Sequence, residues 1–167
     1  MKMELLSNVL VCEGILDEHT EATDVQKTLQ AIQKIAKGAF DVDFSKVKYA
    51  NSTGIVTWLK TLKASGVTIR YINAPVWLVG QFNMIRDFFE NGSYVESFCA
   101  PYYCTSTQES RALTLRVGKE VPVTDNYKGI KFPNVAVEGK TFEIDFVPER
   151  YFSFISENLK IFKEKYP

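Results

Sequence analysis

A short polar segment, Asn51-Ser52-Thr53-Gly54, has the residue types that could accept a phosphoryl group or recognise a partner. Asn51 and Ser52 are both good helix-capping residues, and apolar residues then recur at helical spacing. The segment is therefore predicted to open a helix, where backbone N–H groups and the helix dipole favour negative charge. Thr53, with Ser52 as the alternative, is a candidate for phosphorylation or simply a residue of the first helical turn.

Three cysteines and a single histidine are the other residues with catalytic potential. Cys99 and Cys104 are five residues apart, with aromatic residues between them, and we interpret them as packing thiols. A thiol-dependent enzyme that uses Cys99 and Cys104 is an alternative, but nothing near His19 suggests a nucleophile. The odd, scattered cysteines form no disulfide framework and fit a reducing compartment.

Asp41 and Asp43 point to one side of a predicted strand and could serve as general acid and base. Alternating charged and apolar residues are also typical of any half-exposed strand, so we expect Asp43 to support the following turn instead. The nine glycines form no phosphate-binding loop, and nucleotide binding by such a loop is not indicated.

The segments that must position these residues alternate between strands and helices as far as residue 98. Apolar runs predict strands at 8–15, 40–44, 67–72 and 94–98. Stop and start signals, including a capping box at Thr23 and Gln26, predict helices at 23–38, 51–66 and 75–92. Residues 1–98 are therefore expected to form an α/β domain, a mixed sheet with its helices packed on one side.

The pattern changes in residues 99–167, which we predict to be a separate C-terminal extension. Short strands broken by glycine and proline are predicted at 113–117, 121–123 and 141–146. Pro148 then opens a single last helix with aromatic residues on one side. The extension should therefore be a small antiparallel sheet followed by a terminal helix.

Charge and hydropathy restrict the classes of partner. Lysine and arginine together number 20, and so do aspartate and glutamate, so no overall field attracts nucleic acid or an anionic membrane. No run of apolar residues is long enough to insert into a membrane, and the first residues do not form a secretory signal. We therefore expect a cytoplasmic protein that recognises its partner locally.

The residues around the candidate helix start carry a family resemblance. The stretches Phe40-Asp41-Val42-Asp43-Phe44-Ser45-Lys46-Val47 and Tyr49-Ala50-Asn51-Ser52-Thr53-Gly54-Ile55 resemble the STAS signature, a strand and turn followed by Asp-Ser-Ser-Gly. This family comprises domains of sulphate transporters and anti-sigma-factor antagonists, and its order of elements matches residues 8–98. Asn51 stands where aspartate is usual, and some STAS domains that lack this aspartate are not known as kinase substrates.

The resemblance implies a bacterial, non-catalytic regulatory module that works by phosphorylation-controlled partner switching. It places the phosphorylated hydroxyl at Thr53 and the partner-binding surface at Asn51, Ser52, Thr53 and Gly54. The implied partner is an anti-sigma-type serine/threonine kinase, and no cofactor is implied. The alternative is an unphosphorylated STAS adaptor subunit of a transport or signalling complex.

The extension resembles a zinc ribbon that has lost its metal. The frame is kept in Pro101-Tyr102-Tyr103-Cys104, Gly139, Phe142-Glu143-Ile144-Asp145 and Tyr151-Phe152-Ser153-Phe154. Of four ligand positions only Cys104 remains, because Thr107, Val135 and Glu138 stand where the other cysteines would be. Since structural zinc needs its full set of ligands, we expect the extension to hold together without metal.

Overall fold

The computed structural model describes residues 1–167 and contains two β-sheets. Neighbouring strands of the first sheet are β1 (Lys2–Leu6), β2 (Val9–Leu16), β3 (Phe40–Ala50), β4 (Ile69–Ile72) and β5 (Tyr94–Val95). β1 pairs antiparallel with β2, whereas the remaining neighbours are parallel. The first sheet is therefore mixed, as predicted.

Helical crossovers connect the parallel strands of the first sheet. They are α1 (Ala22–Ile35), α2 (Ser52–Ser65), and α3 (Val76–Phe82) with a 3₁₀ segment (Arg86–Gly92). The face that the helices cover is apolar: Val42 and Phe44 are buried, and Phe44 packs edge-to-face on Trp58 of α2 at a centroid distance of 5.0 Å. Asp41 and Asp43 lie on the opposite, half-buried face of β3. The predicted packing of helices on one side of the sheet is confirmed.

The second sheet is antiparallel, as predicted for the extension. Its strands, in spatial order, are β7 (Glu109–Arg116), β6 (Ser97–Cys104), β9 (Lys140–Ile144) and β8 (Val135–Val137). β8 and β9 are joined by Glu138 and Gly139, whose φ values of 51° and 76° suit a two-residue hairpin turn. The sheet is thus built from two hairpins, β6–β7 and β8–β9, which join where β6 pairs with β9.

The C-terminal segment forms three short helices, so the prediction of a single last helix is wrong. They are α4 (Pro148–Tyr151), α5 (Ser153–Glu157) and α6 (Leu159–Lys165). The backbone leaves helical geometry at Phe152 (φ −102°, ψ 17°) and at Asn158 (φ −114°, ψ 29°). These bends allow Phe152, Phe154 and Phe162 to be buried together, which a straight helix would not achieve.

The third predicted helix also ends early, because α3 stops at Phe82 and only a 3₁₀ segment follows. Asn83 caps α3 and uses its side chain to bind the C-terminal segment. Its Nδ2 donates to the Tyr151 carbonyl at 3.1 Å, and its Oδ1 accepts from the Phe154 backbone N–H at 2.9 Å. A long-range contact therefore ends this helix.

Two smaller predictions differ from the structure, and one strand was not predicted. The capping box at Thr23 and Gln26 is absent, since α1 begins at Ala22 after Glu21, which makes no side-chain cap. Residues 121–123 form no strand, and Val121 makes only an isolated bridge, because the following Pro122 has no N–H for a ladder. Finally, the strand β1, which was not predicted, pairs with β2 as a hairpin.

A single hydrophobic core runs through the molecule. Its 37 buried residues form one cluster that includes both sheets and the C-terminal helices, so residues 1–98 and 99–167 share their core. Phe98 and Phe154, for example, pack edge-to-face at a centroid distance of 5.5 Å. The division into two domains stays a prediction.

None of the helices has the length and apolar character required to span a lipid bilayer.

Candidate functional site

Helix α2 begins at Ser52, so both predicted phosphorylation sites lie in its first turn, and Asn51 is its N-cap. The Asn51 backbone is extended (φ −100°, ψ 173°), and its Oδ1 accepts a hydrogen bond from the Gly54 backbone N–H at 3.0 Å. The Asn51 backbone N–H donates to the Leu16 carbonyl at the end of β2, at 3.1 Å. The helix start is therefore held against the carboxyl end of β2.

Gly54 is buried, although the sequence placed it on the binding surface. A Cβ atom at this position would overlap the Leu16 carbonyl group and would lie 2.6 Å from the Asp17 backbone nitrogen. Only glycine allows the two backbone segments to approach so closely. The role of Gly54 is therefore to pack the helix start against β2, and of the residues predicted to bind a partner only Ser52 and Thr53 are exposed.

Ser52 and Thr53 are both exposed in the first turn of α2. The same side of the helix continues with Val56, which is 45% exposed, and with Lys60. We call these four residues the α2 face. Because Asn51 supplies the cap, the two hydroxyls are not needed to begin the helix, and they remain accessible from solvent.

A carboxylate that sequence reasoning missed lies at the same helix start. The Asn51 Nδ2 donates a hydrogen bond of 2.5 Å to Oε2 of Glu18, which lies between β2 and α1. A hydrogen bond from the backbone N–H of Glu18 itself lowers the pKa of the Glu18 carboxyl below its ordinary value of 4.5. The hydrogen bond from Asn51 lowers this pKa further and is the smaller of the two effects. The sequence could have indicated this contact through the predicted topology, because the carboxyl ends of the parallel strands β2 and β3 must meet at the same edge of the sheet.

The structure does not bring together the residues of the alternative thiol enzyme. Cys99 and Cys104 are separated by an odd number of positions on β6, so their side chains point to opposite faces of the strand. Hydrogen bonds from Ser106 and Thr107 lower the pKa of the Cys104 thiol to about 7, but that side chain is only 1% exposed. The cavity that includes His19 is lined by no cysteine.

The two strand aspartates have structural partners. Asp41 forms a bidentate ion pair with Arg70, through contacts of 2.5 Å to Nε and 2.8 Å to Nη2. Asp43 accepts a hydrogen bond of 2.7 Å from the Ser45 backbone N–H and another of 3.0 Å from Asn73. These hydrogen bonds hold Asp43 within β3, which continues through Ser45 to Ala50, so the turn that Asp43 was expected to support is absent.

The four positions compared with zinc ligands lie on the two hairpins of the second sheet. Cys104 ends β6 and Thr107 lies in the turn that follows, while Val135 begins β8 and Glu138 lies in the β8–β9 turn. Glu138 accepts a hydrogen bond of 2.8 Å from Arg111, so it participates in an ion pair. No group of three or more histidine, cysteine, aspartate or glutamate residues is arranged to hold a metal ion.

No protein-family model matches this sequence, and neither does any curated protein. Among solved structures, that of the anti-sigma factor antagonist SpoIIAA in its unphosphorylated form matches with 17% sequence identity and a TM-score of 0.36. The match covers 56% of this chain and 84% of that chain. A TM-score this low carries no argument about family or function, and nothing in these comparisons supports the likeness to a zinc ribbon.

Proposed function

We propose that this chain is a cytoplasmic, non-catalytic interaction module of the STAS type, which binds a protein partner through the start of α2. The observation that carries the proposal is the exposure of Ser52 and Thr53 at a helix start that is capped by Asn51. Because neither hydroxyl is needed for the cap, both are available for contact with a partner. The exposed Val56 adds apolar area on the same α2 face.

In this proposal, phosphorylation of Thr53 by an anti-sigma-type serine/threonine kinase switches the choice of partner. A phosphoryl group adds a charge of about −2 and three acceptor oxygens at the helix start. The helix dipole tolerates negative charge there, so the fold should persist after modification. The partner that docks on the α2 face would instead meet a new charge and lose affinity.

One observation favours the second candidate, an adaptor that is never phosphorylated at this site. Glu18 already brings a carboxylate to Asn51, and this carboxylate is charged at neutral pH. A phosphoryl group on Thr53 would therefore be added at a helix start that already holds a negative charge. Both candidates use the α2 face for binding and differ in whether modification controls it.

The test compares Thr53→Glu with Thr53→Ala in pull-downs from the source cell, together with thermal unfolding of each variant. We expect both variants to retain most of the wild-type thermal stability, because Thr53 is exposed and does not cap the helix. The glutamate variant alone should lose the partner, since it adds negative charge at the helix start.

Thr23→Glu is the matched control, because Thr23 is an exposed threonine at the corresponding position in the first turn of α1. This control should bind the partner as wild type does. If Thr53→Glu also binds as wild type does, charge at the α2 start is not the switch. The intact mass of the protein from its own cell then separates the two candidates, because only the switch carries a phosphoryl group.

A further inference from the structure

A cleft lies at the end of the molecule opposite to the start of α2. Arg70 faces Asp41 across the amino ends of β3 and β4, whereas α2 begins after the carboxyl end of β3. The cleft has a volume of about 710 Å³ and lies between the edge strand β5, the turn after β7 and the end of α6. Its position makes it independent of the α2 face.

Four cationic side chains line this cleft, from three separate segments of the chain. They are Arg70, Arg116, Lys119 and Lys165. The charge of Arg70 is already neutralised, because Arg70 pairs with Asp41 and, at 3.2 Å, with Glu96. Glu96 is the one acidic side chain in the lining of the cleft. Lys119 makes a single exposed contact of 3.4 Å with Glu120.

Arg116 and Lys165 make no ion pair in the molecule. Lys165 lies over the ring of Tyr94 instead, with its Nζ 5.3 Å from the ring centroid. Two uncompensated cations and a weakly paired third therefore share one concave surface. Such a surface favours a ligand that carries more than one negative charge.

The walls of the cleft are held in place before any ligand arrives. The Tyr166 hydroxyl donates a hydrogen bond of 2.9 Å to the Val95 carbonyl, which fixes the end of α6 to β5. Opposite, Gly118 has a φ of 79°, and a Cβ at this position would lie 2.9 Å from the Tyr166 ring. The Glu120 carboxylate accepts a 2.9 Å hydrogen bond from the Arg116 backbone N–H and closes the turn.

We infer that this cleft binds a small molecule that carries a phosphate group, held by Arg116, Lys119 and Lys165. A phosphate ester carries nearly two negative charges and three terminal oxygens, which suit the three cationic side chains in the cleft lining. The guanidinium of Arg116 can donate two parallel hydrogen bonds to such a group, and the lysines add point charges. A cavity of this volume is within the range of small-ligand sites.

The test is an NMR titration of the full chain with ribose 5-phosphate, with ribose as the probe that lacks the phosphate. We expect ribose 5-phosphate alone to shift the amide signals of Gly118, Lys119 and their neighbours. The double variant Arg116→Gln, Lys165→Gln should weaken this binding by roughly tenfold or more, because it removes two charge-assisted contacts.

The matched control is Lys128→Gln, Lys131→Gln, which removes the same charge from exposed lysines outside the cleft. It should bind ribose 5-phosphate as wild type does. The inference is overturned if ribose 5-phosphate leaves the cleft signals unchanged, if ribose shifts them equally, or if the control weakens binding as much as the cleft variant. Unchanged amide signals elsewhere in the spectrum verify that the cleft variant remains folded.

Discussion

At the start of α2, individual atoms decide which residues face solvent and which face the sheet. The Asn51 side chain accepts the capping hydrogen bond through its oxygen and donates to Glu18 through its amide nitrogen. This one residue therefore joins the start of α2 to the segment between β2 and α1. The missing side chain of Gly54 allows the helix to approach the carbonyl of Leu16. Ser52 and Thr53 remain exposed because these two neighbours make the structural contacts.

The first prediction is that Gly54→Ala destabilises the protein by about 3 kcal/mol, because the added methyl group overlaps backbone atoms that cannot move aside. Urea denaturation followed by tryptophan fluorescence measures the change. Gly80→Ala is the matched control, since Gly80 lies within α3 and has open space around its Cβ position. The control should stabilise by about 0.5 kcal/mol, and equal losses in both variants would exclude a specific close approach at Gly54.

At the scale of elements, the two hairpins of the second sheet are connected by charge as well as by strand pairing. β6 and β9 share only two residue pairs. Glu109 on β7 contacts both Arg111 and Lys140 at 2.6 Å, and Arg111 also contacts Glu138 at 2.8 Å. These four side chains bridge the hairpins at the end where Cys104 lies, and Arg111 additionally lies over the ring of Phe142.

This ion network predicts a pH-dependent contribution to stability. Hydrogen bonds from Lys140, and then from Arg111, hold the pKa of Glu109 below its ordinary value of 4.5. A carboxyl whose pKa is lowered by folding stabilises the folded state above pH 4.5 and loses this effect as the pH falls through the lowered pKa. Glu109→Gln should therefore lower the thermal midpoint at neutral pH and have little effect once the pH is below the lowered pKa.

The measurement is thermal unfolding of wild type and Glu109→Gln over this pH range, at low and at high salt. Since all four side chains are partly exposed, we expect the difference at neutral pH to shrink as salt rises. A difference that is independent of both pH and salt would mean that packing of the side chain, and not its charge, is responsible.

At the scale of the whole molecule, aromatic side chains join the two sheets into one core. Phe154 of α5 lies within 5.8 Å of both Phe82 and Phe162, between ring centroids, and within 5.5 Å of Phe98. These rings come from α3, α6 and β6, so one side chain contacts elements of both predicted units. The two sheets should therefore unfold together.

Phe154→Ala tests this expectation. Removal of a fully surrounded ring should cost about 4 kcal/mol, and amide hydrogen exchange should accelerate in both sheets to a similar degree. Met84→Ala, at a side chain that is 69% exposed, should change stability by less than about 0.5 kcal/mol. If exchange accelerates only in the second sheet, the two units are separate domains that merely touch.

Several features of the fold and the site could be predicted from the sequence alone, because they depend on residues within one helical turn or one strand. The capping type of Asn51 and the glycine stop at Gly66, which adopts a left-handed φ of 67°, located α2 correctly. The alternation in β3 assigned Phe44 to the core and Asp43 to the other face. Local hydrogen bonding and side-chain periodicity are sufficient for such features.

Only the tertiary structure decided the contacts between residues that are far apart in the sequence. Glu18 meets Asn51, and Asn83 ends α3 and binds the C-terminal segment, because the packed core brings these segments together. The cleft beside Arg116 exists because α6 returns to the edge of the first sheet. Such contacts follow from how the apolar faces of whole elements pack, and the periodicity of a single element does not specify which other element covers it.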